Sequence, residues 1–270
     1  MPIVQNTPLH NLVGMIPAAV AAYNMPGSRT AIYNGIYNAF INARQHGIAA
    51  HGGVLGWIRH GNAAASIHAL LAAFGMNAQR SVLVPLHCLA QTLQNLSPLS
   101  VQWIGGIALP LNPEPCNTTN PNTRQNLSVE LGALYTALSA PGVVTASGGF
   151  VAASKTLHCL FPGLAPMIDG RHSGLSYFHI LQNTYTPPLR LGNWAGWLGT
   201  PLPGVPNPSP RGAGRRSWDA ARFLAAIGVN QHIYELWQQQ NGNPGLQAFL
   251  AIDPAPGTSG IPRIVDKLLW

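Results

Sequence analysis

Hydrophobic residues recur at helical spacing along most of the chain. Between Ser28 and Gly47, apolar side chains return every three to four residues, Ser28 is suited to cap a helix, and Gly47 is suited to end it. The same pattern predicts helices over 62–75, 80–96 (starting or kinking near Pro85), 128–140, 150–161, 173–182, 217–227, 230–240 and 261–269. The apolar strip 101–109 is typical of a short strand or an irregular segment. The predicted fold is therefore mainly α, built from many helices.

Two segments rich in proline interrupt this pattern. Residues 110–125 contain four prolines among many Asn and Thr residues, which predicts a loop. We expect one helical domain over 1–270, with a division into two lobes near 110–126. Residues 186–216 are rich in Pro and Gly and predict a second, longer loop, of a length that is usually functional or disordered.

Charged residues are scarce, at 8% of the chain, and their balance is basic, with 14 Lys and Arg against 7 Asp and Glu. Twelve of the basic residues are Arg, whose planar guanidinium suits phosphate recognition. A surface of this kind favours a polyanionic partner, most simply nucleic acid. The alternative is that the net charge only keeps the protein soluble.

The cysteines and the apolar runs of the sequence bear on disulfides, bound metals and membrane segments. The three cysteines are widely spaced and predict neither a disulfide framework nor a metal clip. The start of the chain lacks a basic signal-peptide region, and no apolar run reaches the length of about 18 residues that a membrane span needs. We therefore expect a cytoplasmic protein with no membrane segment, no metal, no cofactor and no obligate protein partner.

The segment from Ser154 to Asp169 concentrates the candidate chemistry. Lys155, one of only two lysines, lies within an apolar helix, where desolvation would lower its pKa toward that of a nucleophilic amine. His158 follows on the same helical face, Pro162 ends the helix, and Asp169 precedes the next one, where it could stabilise positive charge or move protons. The alternatives are a lysine that snorkels to the surface, a helix-capping aspartate and a hydrogen-bonded core histidine.

Eight residues of this segment form a pattern: Ser154, Lys155, Leu157, His158, Leu160, Pro162, Pro166 and Asp169. The pattern resembles a divergent branch of the helix-hairpin-helix DNA glycosylases. The resemblance implies a two-lobed, mainly α fold, with Lys155 as a Schiff-base nucleophile and Asp169 assisting loss of the base. It also implies double-stranded DNA with a damaged or modified base as the partner. No four-cysteine iron–sulfur signature follows the pattern.

An enzyme of that kind would extrude the target base from the duplex. Residues that could hold the DNA backbone are Gly148, Gly149, Arg171, His172, Arg211, Arg215 and Arg216. Trp194 and Trp197 could stack on the extruded base. The alternatives are a solvated flexible loop for the arginines and packing of the loop onto the core for the tryptophans.

Three functions remain open on these grounds. The first hypothesis is base excision by a DNA glycosylase-like hydrolase, with or without lyase activity through Lys155. The second is a nucleic-acid-binding module that keeps the scaffold without catalysis. The third is an enzyme that acts on free nucleotides or modified-base precursors.

Overall fold

A computed structural model describes residues 7–77, 82–111, 118–169, 173–174, 176–177, 180, 220–254 and 260–270. Within these ranges the chain forms helices joined by turns, and its β-structure is limited to two isolated bridges, Leu83–Thr145 and Thr119–Asn126. The prediction of a mainly α fold is confirmed. No helix among the described residues is both long enough and apolar enough to cross a membrane.

The helices are α1 (Leu9–Gly14), α2 (Ile16–Tyr23), α3 (Arg29–His51), α4 (Val54–His60), α5 (Ala63–Ala73), α6 (Leu86–Gln94), α7 (Pro98–Ile104), α8 (Leu127–Ser139), α9 (Phe150–Leu160), α10 (Ala220–Gln240), α11 (Leu246–Leu250) and α12 (Ile261–Leu269). Residues 173–174, 176–177 and 180 are also helical. Helices α5, α8, α9 and α12 match the predicted helices to within a few residues.

Helix α3 begins as predicted but ends later. The Ser28 side chain accepts a hydrogen bond from the amide of Ala31, as an N-cap does. The helix continues through Gly47 and ends at Gly52, which has a positive φ of 70°. Gly47 serves a different purpose, because a Cβ there would overlap the ring of Trp57. The predicted end at Gly47 is wrong because this glycine makes room for a neighbouring helix.

Two further predictions need correction, and one is confirmed. The strip 101–109 is not a strand: α7 is capped by Ser97, whose side chain accepts from the Ser100 amide. Helix α10 runs without a break through Gly228, whose neighbours Ile227 and Val229 are fully buried. The helix predicted over 80–96 starts near Pro85, as one of its two predicted forms had it: residues 82–85 are not helical, and α6 begins at Leu86.

Helix α9 lies at the centre of the packing. It contacts α8 and α5, while α3 packs against α4 and α5, and α12 packs against α2 and α10. Every residue of α9 from Ala152 to Leu160 is buried, so this helix is covered on all sides. A lysine on this helix therefore has no solvated face available. The division into lobes near 110–126 stays a prediction.

The tight contact between α3 and α4 predicts that a Gly→Ala substitution destabilises the protein at Gly56 and stabilises it at Gly35. A Cβ at Gly56 would overlap the carbonyl of His51, whereas a Cβ at Gly35 on α3 would meet nothing within 4 Å. We expect Gly56→Ala to lower the free energy of unfolding by about 1–3 kcal/mol through overpacking. Gly35→Ala should raise it by about 0.5–1 kcal/mol through helix propensity. Urea unfolding measures both, and effects of the same sign would contradict this packing.

Candidate active site

The turn before α9 is built on two glycines whose amides are already used. The Gly148 amide donates to the carbonyl of Thr145 at 3.1 Å, and the Gly149 amide donates to that of Ser139 at 2.9 Å. Gly148 also has a φ of 68°, and a Cβ there would press on the backbone of residues 139–141. Both amides already donate within the protein, which does not favour phosphate binding by them, and the role of these glycines in holding DNA stays a prediction. They shape the entry into the helix.

The chain folds back along α9 immediately after this helix ends. We call residues 161–169 the return segment. The hydroxyl of Ser154 donates to the carbonyl of Ile168 at 3.2 Å, and the ring of His158 bonds the carbonyl of Ala165 at 2.6 Å. Ser154 and His158 are four residues apart and so project from one face of the helix. Together they fasten the return segment to α9.

These two hydrogen bonds bring Lys155 and Asp169 together. Lys155 follows Ser154, Asp169 follows Ile168, and their side chains meet with Nζ 3.5 Å from Oδ2. The Lys155 side chain is 5% exposed and that of Asp169 is 23% exposed. The ammonium also lies 5.3 Å from the centre of the Phe74 ring, within cation–π range. The amine is thus buried, whereas the carboxylate beside it is partly exposed.

The backbone of Asp169 is fixed by the residues that follow it. Its amide donates to the hydroxyl of Ser173 at 2.9 Å, and its carbonyl accepts from the Gly174 amide at 2.6 Å. The capping role predicted for the Asp169 carboxylate would involve residues 170–172, which lie outside the described part of the chain. These backbone bonds hold the carboxylate at the edge of the site whether or not it also caps a helix.

His158 has a structural position. A carbonyl oxygen can only accept, so Nδ1 carries the proton that it donates to Ala165. Nε2 must then accept from the hydroxyl of Tyr37, 2.7 Å away. Burial lowers the pKa of His158 to about 3, further reduced by Arg263 and Arg44 and partly offset by the bond to Ala165. Both ring nitrogens are therefore occupied within the core, which favours the alternative of a hydrogen-bonded core histidine, and the catalytic role of His158 stays a prediction.

A buried ion pair that the sequence reasoning missed lies next to the site. Arg263 on α12 donates to Oδ2 of Asp266 at 2.6 Å and to Oδ1 of Asn34 at 3.1 Å. Burial raises the pKa of Asp266 to about 6, although Arg263 and Lys155 both lower it and Asp169 raises it further. Asp266 therefore shares an electrostatic environment with the Lys155–Asp169 pair. Its second oxygen, Oδ1, is buried without a hydrogen bond among the described residues.

Aromatic rings continue outward from Lys155. Phe74 meets Tyr33 edge-on at 5.7 Å between ring centres, and Tyr33 contacts Trp270 at 6.3 Å. All three rings are half-buried. Phe74 lies within the predicted helix 62–75, and nothing in its spacing indicated a contact with Lys155. The proposed stacking residues, Trp194 and Trp197, lie outside the described residues.

The remaining candidates for DNA contact also fall outside the described part of the chain: Arg171, His172, Arg211, Arg215 and Arg216. Within the described ranges, no group of three or more His, Cys, Asp or Glu residues could hold a metal ion.

Comparisons of this chain with protein-family models, with curated proteins and with solved structures found no match.

The burial of neutral His158 predicts a specific acid sensitivity. Its pKa is about 3 in the folded protein and 6.5 when the ring is exposed. Between pH 3 and pH 6.5 the imidazole is therefore protonated in the unfolded chain and neutral in the folded protein. The contribution of His158 to stability is complete above pH 6.5 and is lost as the pH falls toward 3. We expect His158→Gln to be less stable than the wild type at pH 7. Between pH 7 and pH 4, however, its free energy of unfolding should fall by roughly 2–4 kcal/mol less than that of the wild type.

Denaturant unfolding at each pH tests this expectation. Asp266 acts in the opposite direction, because its raised pKa adds stability as the pH falls through 6, but it is present in both proteins and cancels. His46→Gln on the exposed face of α3 is the matched control and should follow the wild-type profile. Parallel wild-type and His158→Gln profiles would contradict it, because they would mean that the buried ring takes up its proton at the same pH as in the unfolded chain.

Proposed function

We propose that this protein is a DNA glycosylase-like base-excision enzyme that uses Lys155 and Asp169. The observation that carries the proposal is the buried amine of Lys155, 3.5 Å from the partly exposed carboxylate of Asp169. The pattern in which both residues stand resembles that of helix-hairpin-helix glycosylases. The basic composition is suited to a DNA backbone.

The pair supplies the two groups that the reaction needs. Lys155 must lose a proton before its nitrogen can attack, and Asp169 is the carboxylate within reach to accept that proton. The neutral amine then forms a bond to C1′ of the nucleotide, the bond from C1′ to the base breaks, and the base leaves with the electron pair and takes up a proton. Opening of the sugar ring, with O4′ taking a proton, yields a protonated Schiff base on Lys155.

Asp169 has a second task in this scheme. As the base departs, positive charge develops on the sugar, and a carboxylate nearby stabilises it. If Lys155 does not attack, the same carboxylate can instead position and deprotonate a water molecule. The Asp169 role is therefore common to an enzyme with lyase activity and to one without it, whereas the Lys155 role belongs to the first alone.

One observation favours the second hypothesis, a binding module without catalysis. Only 5% of the Lys155 side chain is exposed, and its charge is already met by Asp169 and the Phe74 ring. A pair of that kind can serve to hold the return segment in place. The module would bind DNA in a salt-dependent manner, and the binding would not depend on the Lys155 amine.

Borohydride trapping on duplex DNA with an abasic site tests the lyase step. We expect a covalent adduct that peptide mapping assigns to Lys155 and that is absent in Lys155→Met, which keeps an unbranched side chain one atom shorter and removes the amine. Lys267, the other lysine, is an internal control, because its amine is buried and held by Asp253 at 2.6 Å and by Asn24 at 2.9 Å. An adduct on Lys267, or one that survives in Lys155→Met, would overturn the role of Lys155.

Release of the base tests Asp169 separately. We expect Asp169→Asn to lower the rate of base release from duplexes carrying single modified bases by at least about 100-fold, because the amide neither accepts the proton nor stabilises the sugar cation. Glu235→Gln makes the same change at a carboxylate of α10 that is 39% exposed, and it should leave the rate unchanged. Salt-dependent duplex binding without base release in the wild type would favour the binding module.

A further inference from the structure

A basic pocket lies apart from the residues discussed so far. It is a cavity of about 640 Å³ where the end of α3, the turn into α4 and the end of α7 meet. Its polar lining comes from Arg44, His51, Arg59, His60 and Gln102, and glycines form much of the remaining wall. The pocket therefore combines several nitrogen donors with bare backbone, and no acidic side chain lines it.

The segments of the chain that form this pocket contain no acidic residue to balance its positive charge. The first acidic residue of the chain is Glu114, so the helices that build the pocket contain neither Asp nor Glu. His51, Arg59 and His60 are exposed. Among the described residues, none of these three side chains forms an ion pair with a carboxylate. Exposed cations without carboxylate partners in a concave site attract an anion from solution.

The glycines leave room for a ligand with several oxygens. Gly52 and Gly53 have φ values of 70° and 122°, and a Cβ on either would meet nothing within 4 Å, so these residues border open space. Gly56 and Gly105 instead allow close contact between helices: a Cβ on Gly56 would overlap the His51 carbonyl, and one on Gly105 would press on Val54. The wall is thus fixed by packing on one side and open on the other.

Arg44 is held in place at the edge of the pocket. Its Nε donates to the carbonyl of Cys159 at 2.8 Å, and one terminal nitrogen donates to that of Leu160 at 2.6 Å. Its guanidinium also lies 5.9 Å from the centre of the Trp57 ring. A guanidinium fixed in this way loses little side-chain entropy when a ligand binds. These bonds join the pocket wall to the C-terminal end of α9, the helix that carries Lys155.

We infer that this pocket binds a phosphate group, either from the backbone of a nucleic acid or from a free phosphate compound. Guanidinium groups match the geometry of phosphate oxygens, and imidazole N–H groups add further donors. The volume exceeds what a lone carboxylate fills, and it accommodates two linked phosphates. The inference does not require chemistry at Lys155, so it stands or falls independently of the proposed function.

Two probes distinguish the two sources of phosphate: sodium pyrophosphate, followed by titration calorimetry, and a short fluorescein-labelled DNA duplex, followed by anisotropy over a range of salt concentrations. The variant is Arg59→Gln/His60→Gln, which changes only exposed side chains. Arg124→Gln is the control, because Arg124 is exposed and lies outside the pocket lining. Circular dichroism confirms that both variants are folded.

If the source is a free phosphate compound, the wild type and Arg124→Gln bind pyrophosphate. The double variant then binds pyrophosphate at least about tenfold more weakly, because it has lost a charge-assisted hydrogen bond. If the source is nucleic acid, the double variant instead reduces the slope of log K against log salt by about 0.9 or more, as loss of a phosphate contact predicts. Identical behaviour of the double variant and Arg124→Gln toward both probes would overturn the inference.

Discussion

The site depends on the contacts of one buried cation, the guanidinium of Arg263, which link α12 through α3 to α9, the helix that carries Lys155. Arg263 stands near the end of the chain on α12, yet it bonds Asn34 of α3 and lies 4.4 Å from the centre of the Tyr37 ring. Tyr37 in turn donates to His158 of α9, and His158 donates to the return segment. Burial lowers the pKa of Arg263, but Tyr23, Asp266 and Tyr37 together raise it above its usual value, so the residue stays charged. A buried charge that needs partners from three helices restricts them to one arrangement, because any other arrangement would leave the charge uncompensated.

Most of the pattern between Ser154 and Asp169 builds the scaffold of the site. Ser154 and His158 fasten the return segment, and Leu157 and Leu160 are fully buried in the core. Only Lys155 and Asp169 direct charged groups at each other. A sequence match at all these positions therefore predicts the geometry of the pair, while the reaction has to be argued from the amine and the carboxylate themselves. For that reason the same pattern is compatible with an enzyme and with a binding module.

The sequence predicted the local elements better than the long-range contacts. Periodicity located α5, α8, α9 and α12, and the position of Lys155 and Asp169 on either side of a turn indicated that they could meet. Glycine was ambiguous: Gly47 makes room for Trp57 and Gly228 lies inside α10, and only the neighbouring helices decide between these roles and a helix end. The contacts of Arg263 with Asn34, and of Lys155 with Phe74, join positions far apart in the chain and leave no local pattern.

The structure also shows which of the charged residues lie at the surface. Five of the seven acidic residues lie in the described ranges, and three of them, Glu130, Asp253 and Asp266, are buried. Those three are bonded internally, to Asn120, Lys267 and Arg263 respectively. Most of the described negative charge is therefore removed from the surface, while Arg29, Arg59 and Arg124 remain exposed. Three cations, Lys155, Arg263 and Lys267, are buried as well, so the described surface keeps the basic balance that the formal charge of +7 indicates. Because the field of a surface steers charged partners toward it, a basic balance of this kind favours an encounter with a polyanion.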